Sequence, residues 1–91
     1  MLKITKVIKE TAGTTAKDVA IHGLPFIIQN LTASTNVYIK EKSEDGKAAS
    51  ATNGFCIPGG TTLDQPLVAT TLSVISDTAS TDVRVMILDF G

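Results

Sequence analysis

The chain has 91 residues and a mass of 9.5 kDa, which is the size of one domain. Its formal net charge of −1 gives no basic excess for binding nucleic acid or an anionic membrane, and its single cysteine excludes an internal disulfide. No window approaches the ~18 apolar residues of a membrane helix, and MLKITKVIK has alternating lysines where a secretory signal needs an apolar run, so we expect one domain over residues 1–91 that is made in a cytoplasm.

The N-terminal region predicts a strand. Threonine, isoleucine and valine are abundant and aromatic residues make up only 4% of the chain, a composition that favours strands over helices. In LKITKVIK (2–9) the apolar residues alternate, which puts Ile4 and Ile8 on one face and Val7 on the other. The following TAGTT is rich in turn residues, so we expect residues 1–16 to form either an arm that reaches a neighbouring subunit or an edge strand.

The middle of the chain alternates short apolar runs with turn residues. KDVAIH and NVYIKEK alternate apolar and polar side chains, whereas PFIIQNL is almost continuously apolar and resembles a central strand. Asp45-Gly46 lies in the hairpin position between NVYIKEK and the small-residue run AASAT. The strands predicted in this region are 17–22, 25–31, 36–42 and 48–52.

The stretch TNGFCIPGGTT (52–62) is the densest cluster of turn residues. Asn53-Gly54 is the pair that type I′ hairpin turns prefer, and Ile57–Gly60 fits a type II turn with positive φ at Gly59. A phosphate-binding loop would need a lysine after the glycines and a helix opening on them, and the following TTLDQP supplies neither. The stretch therefore predicts two turns around a short strand, Phe55–Ile57, rather than a cradle for a ligand.

The C-terminal third predicts three further strands. They are LDQPLVA, TTLSVIS and DVRVMILDF, and in the last Val83, Val85 and Ile87 lie on one face while Arg84 and Met86 lie on the other. Seven to nine short strands at this spacing indicate an all-β fold, either an antiparallel β-sandwich or a small barrel of the jelly-roll or immunoglobulin-like kind.

Residues suited to catalysis or metal binding are isolated from one another. Cys56 has no base beside it in the sequence, and we expect it to pack in the core as most free cysteines do. The lone His22 has no companion at metal-ligand spacing and is expected at the surface, at the end of a strand. At Glu44–Gly46, Lys47 follows where a calcium loop would place a ligand, so a solvated hairpin tip is expected. We predict no enzyme, no metal and no cofactor.

Three aromatic residues could in principle stack against a sugar. With no tryptophan and few aromatic residues in the chain, a structural use of Phe26, Tyr38 and Phe55 is favoured over carbohydrate binding. Tyr38, Lys40 and Lys42 alternate along one predicted strand, and we expect them on an exposed sheet face.

The pattern NVYI…TNGF-x-IPGGTT…LSVIS…DVRVMILD, over roughly residues 26–90, resembles small virion proteins of tailed bacteriophages. The features that carry the resemblance are strand and turn signals, namely Val37–Ile39, Asn53–Phe55, Pro58–Gly60, Leu72–Ser76 and Asp82–Leu88. That family decorates or cements the phage head. The resemblance implies a β-rich subunit on the capsid surface, with the major capsid protein as its partner and a homo-oligomer, in particular a trimer, as its assembled state.

From this resemblance we expect a capsid decoration or cement subunit without catalysis, and it implies no catalytic residue. The alternative is a receptor- or carbohydrate-binding module associated with a tail or head fibre. Residues 1–25 carry no part of the resemblance, yet the N-terminal strand is our first candidate for contact between subunits. The expected interface residues are Leu2, Ile4, Lys6, Ile8, Tyr38 and Arg84.

Overall fold

The protein is built almost entirely of strands. The computed structural model describes the backbone of residues 2–90 and the side chains of residues 3–43, 45–63 and 66–88. Within this part of the chain a single 3₁₀ turn, η1 (Lys42–Glu44), interrupts the strands. The eight strands are β1 (Leu2–Ala12), β2 (Lys17–Ala20), β3 (Pro25–Asn30), β4 (Val37–Glu41), β5 (Phe55–Ile57), β6 (Thr62–Val68), β7 (Thr71–Ser76) and β8 (Thr81–Phe90).

The strands form two antiparallel sheets that pack face to face. We call β1-β8-β3-β6 the front sheet and β2-β7-β4-β5 the back sheet. The first strand pairs with the last, and the nesting continues inward through β2 with β7, β3 with β6 and β4 with β5. This is the strand order of an eight-stranded jelly roll, a long hairpin rolled up so that successive strand pairs enter opposite sheets. The sandwich alternative of the sequence prediction is confirmed.

The core lies between the sheets and follows the predicted alternation. Val83, Val85 and Ile87 on β8 face Val37 and Ile39 on β4 across the sandwich, and all five side chains are buried. Because strand side chains alternate between the two faces of a sheet, every second residue on a central strand is removed from water. The other core members are Ala12, Val19, Ile21, Phe26, Ile28, Ile57, Ala69, Leu72 and Val74.

One end of the sandwich is closed by a buried polar network. The Asn30 amide nitrogen donates to the carbonyl oxygens of Thr35, at 2.7 Å, and Ile57, at 3.0 Å, and its oxygen accepts from the Thr32 backbone N–H. The hydroxyls of Ser76 and Thr81 lie 2.7 Å apart beside it. The Thr35 and Thr78 hydroxyls lie 3.3 Å apart, the Asn30 N–H donates to the Thr61 carbonyl oxygen and the Asp82 N–H donates to the Thr32 hydroxyl. These further bonds join the β3–β4, β5–β6 and β7–β8 connections, so the loops at this end are held as one unit.

The segment 45–54 lies against the outer side of the back sheet. The Ala49 N–H donates to the Ser73 hydroxyl at 2.8 Å, and Ser73 is completely buried although it faces away from the core. Lys40 on the same side donates to the Lys47 carbonyl oxygen. The predicted strand over 48–52 and the predicted hairpin at Asp45-Gly46 are therefore wrong. The small residues of this segment cross the face of the sheet, where their backbone bonds to side chains instead of pairing with a neighbouring strand.

Both predicted turns of TNGFCIPGGTT differ from expectation. Neither Asn53 nor Gly54 has positive φ, so the type I′ hairpin is wrong; a side chain at residue 54 would instead stand 2.8 Å from the Tyr38 Cβ. The second turn lies one residue later, since the Thr61 N–H donates to the Pro58 carbonyl and Gly60 carries the positive φ of 72°. The predicted turns thus mark the right region with the wrong geometry.

A β-bulge at Thr5 changes which residues of β1 share a face. The register passes from Ile4 opposite Leu88 to Lys6 opposite Ile87, which leaves Thr5 without a partner on β8. The extra residue brings Ile4 and Val7 to the same outer face, where they are 53% and 50% exposed. The prediction that Ile4 shares a face with Ile8 is therefore wrong, since Ile8 packs toward the core.

Candidate functional site

The outer face of the front sheet carries a continuous row of apolar side chains. Val7 lies opposite Met86, and Met86 lies opposite Ile27, so the row crosses β1, β8 and β3. Ile4 opposite Leu88 lies on one side of this row. We call the outer surface of β1-β8-β3-β6 the front face, and these residues form its apolar half.

The apolar half of the front face is open to solvent toward the β1 and β6 edges, whereas Ile27 and Met86 are half-buried and Leu88 is 6% exposed. Val7 is 50% exposed, and Val68, which lies opposite Pro25 at the β6 edge, is 67% exposed. Single exposed apolar residues are ordinary on protein surfaces, but a contiguous patch that crosses several strands marks a surface for interaction. Neighbouring side chains within a row touch, because the Cβ atoms of directly opposite residues in an antiparallel pair are only about 4.5–5.5 Å apart.

The other half of the front face is polar. Lys9 lies opposite Arg84, Arg84 lies opposite Gln29, and Gln29 lies opposite Thr62, which makes one polar row across all four strands. The front face is therefore divided along the strand direction into an apolar and a cationic part. A partner surface that matches it needs an apolar centre with acidic groups on one side.

The back sheet presents a different outer surface. Asp18 pairs with Lys42 at 2.9 Å, and Lys40 pairs with Asp45. Segment 45–54 covers part of the same side, so Tyr38, Lys40 and Lys42, predicted on an exposed sheet face, are only partly exposed. The molecule thus has one outer side that is polar and partly covered by its own chain, and one uncovered outer side that is half apolar and half polar.

The composition of the free β1 edge favours contact with a neighbouring chain through the front face rather than through an additional strand paired with β1. β1 is an edge strand hydrogen-bonded to β8, and it carries Lys3, Lys6 and Lys9, all exposed. Lysines on an edge strand oppose pairing with a further strand, because a neighbouring chain would have to bury or bypass their charge.

The expected interface residues fall on different surfaces. Ile4 and Arg84 both lie on the front face, in its apolar and polar halves. Ile8 turns toward the core, and Tyr38 lies on the outer side of the back sheet. Lys6 is an exposed residue of the β1 edge, opposite Ile87, and the side chain of Leu2 lies outside the described residues.

Sequence reasoning missed the centre of the front face. The alternation of LKITKVIK separates Ile4 from Val7, because nothing in it marks the bulge at Thr5 that brings the two residues to one face. Ile27 sits in the almost continuously apolar PFIIQNL, where alternation gives no sign of which residues face outward. The one usable signal was Met86, which the alternation of DVRVMILDF placed opposite the core residues.

The two residues considered for catalysis do not meet. Cys56 lies on β5 and His22 follows β2, and these strands form opposite edges of the back sheet, about 14 Å apart at the usual strand spacing. Cys56 is exposed opposite Tyr38, so the prediction that it packs in the core is wrong. His22 is exposed as expected, in a turn with φ of 61°.

Among the described residues no group of three or more histidine, cysteine or acidic side chains is placed to hold a metal ion. The described part of the chain likewise contains no helix with the length and apolar character needed to cross a membrane.

The three aromatic rings do not form a shared platform. Phe26 is 1% exposed in the core. Tyr38 lies on the outer side of the back sheet, whereas Phe55, opposite Ile39, is on the inner side and is 59% exposed at the β5 edge. A sugar ring could not stack on all three.

No family model, no curated protein and no solved structure matches this chain.

Proposed function

We propose that this protein is a structural subunit of a bacteriophage virion that decorates or cements the head. The supporting observation is the front face, whose apolar half crosses β1, β8 and β3 on one side of a small domain, whereas segment 45–54 covers part of the other side. The virion part of the proposal comes from the resemblance carried by residues 26–90. Jelly rolls occur in viral capsid proteins but also in lectins and cupins, so the fold by itself does not choose among them.

The front face is suited to assembly because burying its apolar side chains lowers the free energy of the assembled state. Covering the side chains of Ile4, Val7 and Val68 removes apolar surface that the folded monomer leaves in water. Each such side chain contributes roughly 1–2 kcal/mol when it becomes fully covered, given that about half its surface is still exposed. A small domain has a limited core, and contact with other subunits stabilises it further by burying additional apolar surface.

In this proposal the subunit forms a homo-oligomer, with a trimer favoured, and binds the major capsid protein without catalysing a reaction. A repeating lattice offers many equal sites, so contacts of moderate strength suffice when several subunits are linked. The alternative of a carbohydrate-binding module is less well supported, because Phe26 is buried in the core and Tyr38 lies on the opposite side of the back sheet from Phe55.

Mass measurement in solution and assay of purified virions test the proposal. Light scattering should give a mass of several chains for the wild type and of one chain for Val7→Asp, which puts a carboxylate at the β1 end of the apolar row. Purified virions of a phage that encodes the chain should contain it in many copies. A monomeric wild-type protein that is also absent from the virions would refute the proposal.

A further inference from the structure

A cavity of about 430 Å³ opens between the two sheets on the side where β5 and β6 form the edges. Its walls are the inward side chains of both sheets, among them Phe26, Ile39, Leu63, Leu67 and Leu72. An apolar cavity of about 150 Å³ already holds a benzene molecule, and ligand sites in proteins start at about 300 Å³.

The cavity exists because the two sheets are incompletely closed on this side. β5 has only three residues, so the back sheet ends early, and the pairing of β6 with β3 is irregular between Phe26 and Ile28. Phe55 faces the inter-sheet space from the β5 edge and is 59% exposed, so its ring is open to solvent at the mouth of the cavity. The core is thus open at this edge, and a bound apolar molecule could fill the opening.

The polar groups at the mouth are already bonded within the protein. The Glu41 carboxylate accepts from the backbone N–H groups of Thr70, at 2.6 Å, and Thr71, at 3.2 Å, and from both the N–H and the hydroxyl of Ser43. The Thr70 N–H above all, with Ser43 and Thr71, lowers the pKa of Glu41 to about 2, against a smaller opposing effect of desolvation. The carboxylate therefore stays ionised and committed to the β6–β7 turn.

Lys40 and Asn53 are equally occupied. The Lys40 ammonium donates to the Asp45 carboxylate and to the Lys47 carbonyl oxygen at 3.1 Å. The Asn53 side chain accepts from the Ser50 N–H at 2.7 Å and donates to the Ala48 carbonyl oxygen. None of these three side chains offers a free charge to a ligand. A charged group that enters the cavity would lose its hydration without gaining a partner, which strongly disfavours its binding.

We propose that this cavity binds a neutral, apolar small molecule, such as an aliphatic chain or a fused aromatic ring system, between the front and back sheets. The occupant covers the exposed ring of Phe55 and the inner side of β6. Its recognition comes from shape and apolar contact, since the described mouth residues have no free polar group to give. The cavity meets the front face at Val68 on the β6 edge, whereas the apolar row of Val7, Met86 and Ile27 lies on the opposite surface of the front sheet.

Displacement of a neutral fluorescent probe tests the proposal. N-phenyl-1-naphthylamine carries no charge and brightens in apolar sites; it should bind the wild-type protein saturably, with one site per chain. Decanol should displace it at a concentration at least tenfold lower than decanoate at pH 7.5, because the two share a chain length and differ in charge. Equal displacement by the two, or no saturable probe binding, would overturn the proposal.

Variants locate the site. Ala69→Phe fills the cavity and should weaken probe binding at least tenfold, whereas Ala79→Phe, at an exposed position in the β7–β8 connection, should leave it unchanged. Phe55→Asp places a charge at the mouth from a position open enough to tolerate it, and should weaken binding to a similar degree even if Ala69→Phe does not fold. Val7→Asp should not affect probe binding. Unchanged binding in folded Phe55→Asp, or lost binding in Val7→Asp, would place the probe elsewhere and contradict the proposal.

Discussion

Glu41 is the most heavily bonded carboxylate among the described side chains. It joins the end of β4 to the β6–β7 turn through Thr70 and Thr71, and holds η1 through Ser43. These donors lower its pKa from 4.5 to about 2, the Thr70 N–H having the largest effect. Because the folded protein favours the ionised form, the bonds stabilise the fold above the unfolded-state pKa and lose that effect as the pH falls.

Glu41→Gln should therefore flatten the acid side of the stability profile. The wild type keeps the full contribution above about pH 4.5 and loses it between that pH and about 2. The melting temperature of the variant should lie below that of the wild type at pH 7, and the difference should shrink toward pH 2. Thermal unfolding followed by circular dichroism from pH 7 to 2 measures this.

The control is Glu10→Gln, which removes a surface salt bridge to Lys17; its melting temperature should follow that of the wild type over the same pH range. A difference in melting temperature between Glu41→Gln and the wild type that stays constant with pH would contradict the assignment.

Asn30 is the residue on which the closed end of the sandwich depends. Its amide satisfies the Thr35 and Ile57 carbonyl oxygens and the Thr32 N–H, and it is 1% exposed. Asn30→Leu keeps the number and branching of the side-chain heavy atoms but leaves these three backbone groups without their partner, so we expect a loss of about 3 kcal/mol or more in the free energy of unfolding.

Chemical denaturation measures the effect of Asn30→Leu, with Gln29→Leu as its control. Gln29 is the neighbouring residue of β3, and its side chain lies on the front face. A substitution at such a site should change stability by no more than about 0.5 kcal/mol. Equal losses in the two variants would mean that the network around Asn30 adds nothing beyond general packing.

At the scale of elements, the loops of the closed end are fitted tightly against each other. A Cβ at Gly59 would stand 2.6 Å from the Ser34 nitrogen and 2.8 Å from the Thr32 carbonyl oxygen, both backbone atoms that cannot move alone. The β5–β6 connection therefore needs glycine at this position for the close approach of the β3–β4 loop, not for its own conformation.

Gly59→Ala should destabilise the protein by about 2–4 kcal/mol, the range of a forced backbone shift. Gly13→Ala is the matched control, because a Cβ there meets nothing within 4 Å and the residue has no positive φ. That variant should be neutral or up to about 1 kcal/mol more stable, since alanine restricts the unfolded chain. Urea unfolding of both proteins compares them, and a Gly59→Ala protein as stable as Gly13→Ala would show that the loops are not in close contact.

The strands were predictable where one face is buried and the alternation is regular. On β4 and β8 the buried Val37, Ile39, Val83 and Val85 stand at every second position, so sequence and structure agree. The same reasoning failed where alternation breaks. A bulge such as that at Thr5 is set by how β1 fits β8 over their whole length, and no single residue type marks it.

Loop placement and exposure were harder to predict than strands. AASAT has strand-like spacing but too little apolar surface to enter a core, and it lies against Ser73 instead. Cys56 was expected inside because free cysteines are often buried, yet its strand is a short edge whose outer side stays open. The front face depends on register across three strands, and the cavity on incomplete closure between sheets; neither exists in any one segment of the sequence.

At the scale of the whole molecule, the two outer sides of the sandwich differ. If the front face is covered in an oligomer, the folded state gains stability with protein concentration, because association withdraws folded monomers from the unfolding equilibrium.

A tenfold rise in concentration should then raise the melting temperature of the wild type by about 3–6 °C, given that 1 kcal/mol moves a domain of this size by roughly 4–8 °C. Val7→Asp should show no such dependence. Ala20→Asp, which places the same charge at an exposed position on the back sheet, should behave as the wild type. Differential scanning calorimetry at two concentrations makes the comparison, and a wild-type melting temperature independent of concentration would argue against association through the front face.

The uneven covering of the sandwich also limits how layers of this protein can grow. A flat subunit with equally adhesive surfaces on both sides would bind further copies without limit, as flat sheets do in fibres. Here Ala49 and its neighbours occupy the back sheet, and the Asp18–Lys42 pair keeps that side hydrated. In the proposed coat, the side left outward once the front face is occupied is polar, so we expect the coat to stop at the thickness of one molecule.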